Sequence, residues 1–126
     1  MVVDDQPVFQ DAARAVIEAT ADFALVGEAA SGQQAVALAA DIDPDLVLLD
    51  VRMPGIDGFE TAAQLHAAHP RTVVVLISAE RSPGHPRRMT TSGAAEFVDK
   101  QHLAPAVLRR LWNDHRPEGD PGANRT

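Results

Sequence analysis

The chain has 126 residues, room for one domain, and its 45% hydrophobic and 23% charged residues are the balance of a soluble globular protein. It has no cysteine, which excludes a disulfide framework, thiolate zinc sites, iron–sulfur clusters and cysteine nucleophiles. A net charge of −7 repels phosphate, so direct binding of nucleic acid or of an anionic membrane surface is not expected. No apolar run is long enough to span a bilayer and the N-terminus is not a secretory leader, so a cytoplasmic protein is the expectation.

In chain order, Met1-Val2-Val3 predicts a very short first strand ending at Asp4-Asp5. Pro7 then opens a helix, with Phe9, Ala12, Ala13, Val16 and Ile17 recurring at helical spacing. Ala24-Leu25-Val26 predicts a weak second strand, and Ser31-Gly32-Gln33-Gln34 is a capping box for a helix carrying Ala35, Leu38, Ala39 and Ile42. Leu46-Val47-Leu48-Leu49 and Val73-Val74-Val75-Leu76-Ile77 are uninterrupted apolar runs, the pattern of parallel strands buried on both faces. Between them Phe59, Ala62, Ala63 and Leu65 mark a helix that stops before Pro70. From Arg81 to Gly93, Pro83, Gly84, Pro86 and Thr90-Thr91-Ser92 predict a helix that is short or displaced. Glu96-Phe97-Val98 is the last strand. Leu103, Val107 and Leu111 give the last helix its stripe, with Pro105 in the first turn. Strand and helix alternate five times, which predicts an α/β doubly wound parallel sheet with about five helices. The domain is expected over residues 1–112, with 113–126, polar and rich in Pro and Gly, a disordered tail or the start of a linker.

Sites in open parallel sheets form at the carboxyl ends of strands. Here those ends carry Asp4 and Asp5, Asp50, Ser78 and Lys100. Singly, each has an ordinary explanation as a helix cap, a turn or a solvated charge; together they form a constellation. Three carboxylates at one edge repel unless a cation sits among them, and an all-oxygen donor set selects a hard ion, Mg²⁺. An aspartate beside Mg²⁺ with a lysine and a hydroxyl opposite is a phosphoryl-acceptor site.

Val3-Asp4-Asp5, Leu48-Leu49-Asp50-Val51-Arg52-Met53-Pro54-Gly55-Ile56-Asp57-Gly58, Ile77-Ser78-Ala79 and Gly93-Ala94 through Phe97-Val98-Asp99-Lys100 resemble the receiver domain of bacterial two-component response regulators, most closely those of the LuxR-type group. The resemblance spans residues 2 to 112 and implies a flavodoxin-like sheet of strand order 2-1-3-4-5. It implies that Asp50 is the phosphoacceptor and that Asp5 binds Mg²⁺ directly and Asp4 mainly through water, with the Arg52 backbone carbonyl a further ligand. Ser78 would donate to the phosphoryl group, Lys100 would pair with it, and Phe97 would be the aromatic switch residue. The implied donor is a histidine kinase. The implied output is a partner protein or a fused DNA-binding domain absent from this chain. The implied role is that of a switch, not an enzyme, beyond slow self-phosphorylation and dephosphorylation.

Several features depart from the family pattern. The first strand is so short that a truncated or misassigned start is expected to leave it poorly anchored. Gln101 replaces a frequent proline, so a trans peptide is expected there. The Pro83/Pro86 segment falls on the usual output face. Arg81, Arg87 and Arg88 with Arg109 and Arg110 could form a basic patch for an acidic partner or a second copy of the chain. His66 and His69 share a helix face without a third metal ligand. Glu80 and Arg52 flank the site and could tune loss of the phosphoryl group. Other classes fit less well. A haloacid-dehalogenase-type hydrolase wants an aspartate where Arg52 stands. A flavin binder wants a phosphate loop where Asp4-Asp5-Gln6-Pro7 stands. A receiver that binds partners without phosphorylation remains the alternative.

Overall fold

Side chains alternate along the strands, and in this protein the alternation divides the core in two. The computed structural model describes residues 1–79, 86–117 and 124–126. Its main sheet contains β1 (Val2–Val3), β3 (Glu28–Ala29), β4 (Leu46–Asp50), β5 (Val73–Ser78) and β6 (Glu96–Asp99), all parallel, in the order β3-β1-β4-β5-β6. Counted along the chain within the sheet, that is the expected 2-1-3-4-5 order. On one face Val3, Val47, Leu49, Val74 and Leu76 pack with Phe59, Ala62, Leu65, Ala35 and Ala39 from α3 (Gly58–Ala68) and α2 (Gly32–Ile42). On the other, Val2, Leu46, Leu48, Val75 and Ile77 pack with Ala13 and Ile17 of α1 (Pro7–Glu18) and Leu108, Leu111 and Trp112 of α5 (Pro105–His115). The period-two register of each strand therefore decides which helices it serves.

Local chemistry starts and stops the helices as the sequence suggests. Pro7 and Pro105 occupy first turns, where a missing N–H costs nothing. Ser31 accepts from the Gln34 amide at 3.1 Å, while the Gln34 side chain returns to the Ala30 amide at 2.7 Å. α4 (Pro86–Thr91) is short, as expected, and ends on threonines. Its Arg88 pairs with Asp57, the N-cap of α3, and lies 4.5 Å from the centre of the Phe59 ring. At the far edge, Arg110 of α5 holds Glu96 of β6 at 2.6 Å and Asp114 at 3.2 Å, and His115 lies 2.9 Å from Glu96. The Arg110 hydrogen bonds, then that of His115, hold the Glu96 carboxyl down at about 2 against the cost of partial burial. The peptides are all trans among the described residues, including the one at Gln101.

Two expectations are corrected. The second sheet strand is Glu28–Ala29 rather than Ala24–Val26; β2 (Phe23–Ala24) pairs instead with β7 (Asn124–Arg125) in a separate two-stranded ladder. Glu28 conceals this edge strand because its side chain points outward to a two-pronged pairing with Arg14, at 2.8 and 2.9 Å. The first strand is not poorly anchored either. Met1, Val2 and Val3 are fully buried, β1 is paired on both sides, and the Met1 ammonium donates to the Leu46 carbonyl at 2.8 Å. Of the arginines grouped as a candidate basic patch, Arg88 turns to Asp57, Arg109 to the Ala21 carbonyl and Arg110 to Glu96. Arg81, Glu80, Pro83, Gly84 and His85 lie outside the described residues, as do residues 118–123.

Burial pushes the Met1 amine down to about 4, with Asp45 opposing the shift. Between pH 4 and 8 the unfolded chain then binds a proton that the folded chain does not, so this group favours folding more as pH rises. A chain acetylated at this amine should lack that slope. Its stability advantage over the free chain, read from urea midpoints, is expected to grow by up to about 1.4 kcal/mol per unit as pH falls from 8 toward 4.

Candidate functional site

The residues Val3 and Leu49 are directly paired, so the next residues, Asp4 and Asp50, leave adjacent parallel strands side by side. Ser78 ends β5 opposite Asp99, which places Lys100 one residue beyond β6 at the same edge. All four chemistry-bearing strand ends thus converge because the strands are parallel and in register.

Asp4 is fully buried and Asp50 is 6% exposed, whereas Asp5 is exposed. One carboxylate oxygen from each of Asp4, Asp5 and Asp50 lies within 4.8 Å of the others. Lys100 Nζ sits 2.6 Å from Asp4 Oδ2 and 3.5 Å from Asp50 Oδ2. Asp4 Oδ2 is thus buried against the Lys100 ammonium. The other Asp4 oxygen accepts from the Gln6 amide at 2.8 Å, so the same residue also shapes the entry into α1. Asp50 Oδ1 is 3.3 Å from the Arg52 amide. Burial first, and Asp4 second, push the Asp50 carboxyl up to about 6, against the pull of Lys100 and the Arg52 amide.

Three carboxylates within 4.8 Å of one another, two of them buried and sharing a single lysine, in a cluster that offers only oxygen ligands, fit a hard divalent cation. Among the described residues this is the single such group of acidic or histidine ligands. His66 and His69 do not join a metal cluster; His69 Nδ1 is 3.5 Å from Asp43, and the His66 ring lies under Gly93, where a Cβ would come within 2.5 Å of it.

The approach of α3 also shapes the site. Gly58, its first residue, donates to the Val51 carbonyl at 2.8 Å, and a Cβ there would lie 2.3 Å from the Asp50 carbonyl oxygen. Only glycine lets the helix start against the back of the turn that follows Asp50. Sequence reasoning missed two supporting residues. Phe9 puts its ring 4.5 Å beneath Lys100 Nζ, and Gln10 donates to the Asp4 carbonyl at 2.7 Å and the Ala29 carbonyl at 3.1 Å. Their signal was positional: the first turn of α1 follows Asp5 at once and must lie over the aspartates. Phe97 is half-buried against the α2/α3 core and borders a surface cleft with Asp99, Gln101 and His102.

The profile of the response regulator receiver domain matches residues 1–111. The chemotaxis protein CheY of Listeria monocytogenes is 33% identical over 111 residues, 88% of this chain and 92% of that protein. The chain belongs to the response regulator receiver domains. The nitrate/nitrite response regulator NarL of Escherichia coli is 42% identical over 65 residues, 52% of this chain and 30% of that protein. The signal receiver domain of NarL from Mycobacterium tuberculosis superposes with a TM-score of 0.76 at 35% identity, covering 87% of this chain and 92% of that one. The chain spans less than half the length of several regulators it matches. This is a signalling domain of two-component systems; receiver domains bind Mg²⁺ at an acidic pocket, and this chain brings Asp4, Asp5 and Asp50 into one cluster. No helix among the described residues is long and apolar enough to cross a membrane.

Because the folded receiver domain raises Asp50 to about 6, its carboxyl favours folding below pH 4 and loses that contribution as pH rises through 6. Without divalent cations at pH 8, Asp50→Asn is expected to be more stable than the wild type by roughly 2–3 kcal/mol in urea titrations. The gap should close below pH 4, and added Mg²⁺ should stabilise the wild type more than the variant.

Proposed function

We propose that this receiver domain is a phosphorylation-dependent switch in which Asp50 accepts a phosphoryl group from the phosphohistidine of a histidine kinase. The observation that carries this reading is the convergence of Asp4, Asp5, Asp50 and Lys100 at one sheet edge, three carboxylates against one ammonium. Asp4, Asp5, Asp50 and the Arg52 backbone carbonyl would hold Mg²⁺. When bound, the ion supplies charge neutralisation for the carboxylates and for the transferring phosphoryl oxygens.

The chain's own residues divide the remaining work. An Asp50 carboxylate oxygen bonds to phosphorus as the P–N bond breaks, and the electron pair returns to the imidazole. Lys100, held between Asp4 and Asp50 and resting on Phe9, is placed to move its charge from the carboxylates onto the new phosphoryl group. Ser78 closes the other side with its hydroxyl. The phosphoryl group adds about −1.5 to −2 charges and three strong acceptors, which draw Ser78 and Lys100 inward and shift a pre-existing equilibrium. Phe97, half-buried beside the segment that carries Lys100, is the aromatic switch residue of this scheme. The output is a partner protein or a fused DNA-binding domain; the kinship with NarL-type regulators, of which this chain spans a part, favours the second. A second copy of the chain is a further proposed partner.

Intact mass after incubation with acetyl phosphate and Mg²⁺ tests the reading. One phosphoryl adduct is expected, absent in Asp50→Asn and in chelator. A folded wild type that takes no adduct from acetyl phosphate or from histidine kinases would leave a receiver fold that only binds partners.

A further inference from the structure

Phe9 heads the apolar stripe that α1 continues through Ala13 and Ile17. Those two are buried on the sheet, whereas Phe9, one turn nearer the strand ends, is half-buried and packs on the same core from its edge. The backbone sets where its ring lies. Asp4 Oδ1 accepts from the Gln6 amide at 2.8 Å, and the Gln10 side chain donates to the Asp4 carbonyl at 2.7 Å and the Ala29 carbonyl at 3.1 Å. The chain on both sides of Phe9 is thus tied to the end of β1. Lys100 arrives from the far strand, in the 3₁₀ turn Lys100–His102 that follows β6. Its side chain is only 12% exposed, so little water is at hand to replace a lost partner. The ammonium lies 2.6 Å from Asp4 Oδ2, 3.5 Å from Asp50 Oδ2 and 4.5 Å from the centre of the Phe9 ring. The two carboxylates are oxygens that a hard divalent cation claims, and a cation seated on them repels the ammonium. The ring is not such a ligand. Its face keeps its attraction for the ammonium when the carboxylates are taken.

We propose that Phe9 is the positioning residue that keeps the Lys100 ammonium at the acceptor edge once a divalent cation has taken the aspartates. Its purpose rests on the phosphoacceptor reading of Asp50: a lysine that is to meet an incoming phosphoryl group has to stay at hand while its carboxylate partners are occupied. Retention itself is a property of the cation-bound site and holds with or without a phosphoryl group. A leucine at position 9 would cover the same core but present no π face to the ammonium. Loss of the ring therefore acts on two events in different senses. The freed lysine relieves the repulsion, so the cation binds as tightly as before or more tightly, while phosphoryl transfer loses its counter-charge. Damage to packing alone would weaken both together.

Lysine-selective ¹³C labelling tests this cleanly, because Lys100 is the chain's one lysine and gives one set of side-chain signals. In the wild type the ε-methylene signal is expected to be shifted upfield by the ring and to keep most of that shift as Mg²⁺ is titrated to saturation. In Phe9→Leu the shift should be absent, and the signal should sharpen to that of a mobile lysine when Mg²⁺ binds. Phe9→Tyr, which keeps the π face, should restore both. Phosphorylation by acetyl phosphate at saturating Mg²⁺ is expected to be about five- to thirtyfold slower in Phe9→Leu, the range of a desolvated cation–π contact, and near wild type in Phe9→Tyr. Mg²⁺ affinity of Phe9→Leu should be unchanged or several-fold tighter. A wild-type signal that moves to the mobile position on Mg²⁺ saturation overturns the proposal without any variant, as does a wild type that binds no Mg²⁺. It is equally overturned by a Phe9→Leu lysine that stays ordered with Mg²⁺ bound, by parallel loss of Mg²⁺ affinity and transfer rate in that variant, or by a Phe9→Tyr that restores neither signal nor rate. A wild type that takes no adduct yet keeps the shifted lysine signal with Mg²⁺ bound overturns the phosphoacceptor reading and upholds retention.

Discussion

Two nearly dry carboxylates forced together at the end of a parallel sheet are the constraint around which this molecule is organised. Asp4 and Asp50 cannot move apart, because Val3 and Leu49 behind them are paired and buried on both faces. Their mutual repulsion is met by Lys100 from β6, so the far strand of the sheet is held electrostatically to the centre. The supporting contacts serve the same end. Phe9 gives the ammonium an aromatic floor, Gln10 ties the Asp4 backbone to the β3 edge, and Gly58 lets α3 close on the acceptor turn. Stability is given up at this edge, where burial and Asp4 together raise the Asp50 carboxyl.

How far this could be read from sequence depends on burial. β4 and β5 are apolar at every position but the last because both their faces are covered, and those runs were unmistakable. Asp50, Ser78, Asp4 and Asp5 were legible because each polar residue follows such a run. Lys100 was legible as the chain's one lysine, just past the last strand. The edge strand at Glu28–Ala29 was not, since an edge strand shows one face to solvent and Glu28 takes an ion pair there. The anchoring of β1 was hidden for a different reason. It rests on pairing with Glu28–Ala29 and Leu48–Leu49 and on the Met1 bond to Leu46, long-range contacts that no local pattern in Met1-Val2-Val3 announces.

The divided core gives the two helix layers different duties. The α1/α5 layer carries Phe9 and Gln10 to the site and is bound to β6 through Glu96 and Arg110, so it forms one body with the strand that delivers Lys100. The α2/α3 layer carries the acceptor turn and its cap, through Gly58 and Asp57. Phe97 belongs to this second layer from within β6 and is therefore a point where the two bodies meet.

α4 has a consequence of its own. It is short, and its grip on Asp57 and on the edge of the core at Phe59 is made by the exposed side chain of Arg88. Contacts of this kind are worth about 1–2 kcal/mol together, which favours the seated helix by only roughly five- to thirty-fold. The helix is a clasp, not a wall. A single charge-assisted hydrogen bond is of the same size. Removing the Arg88 contacts from this side of the surface therefore takes no more than the energy of one such bond.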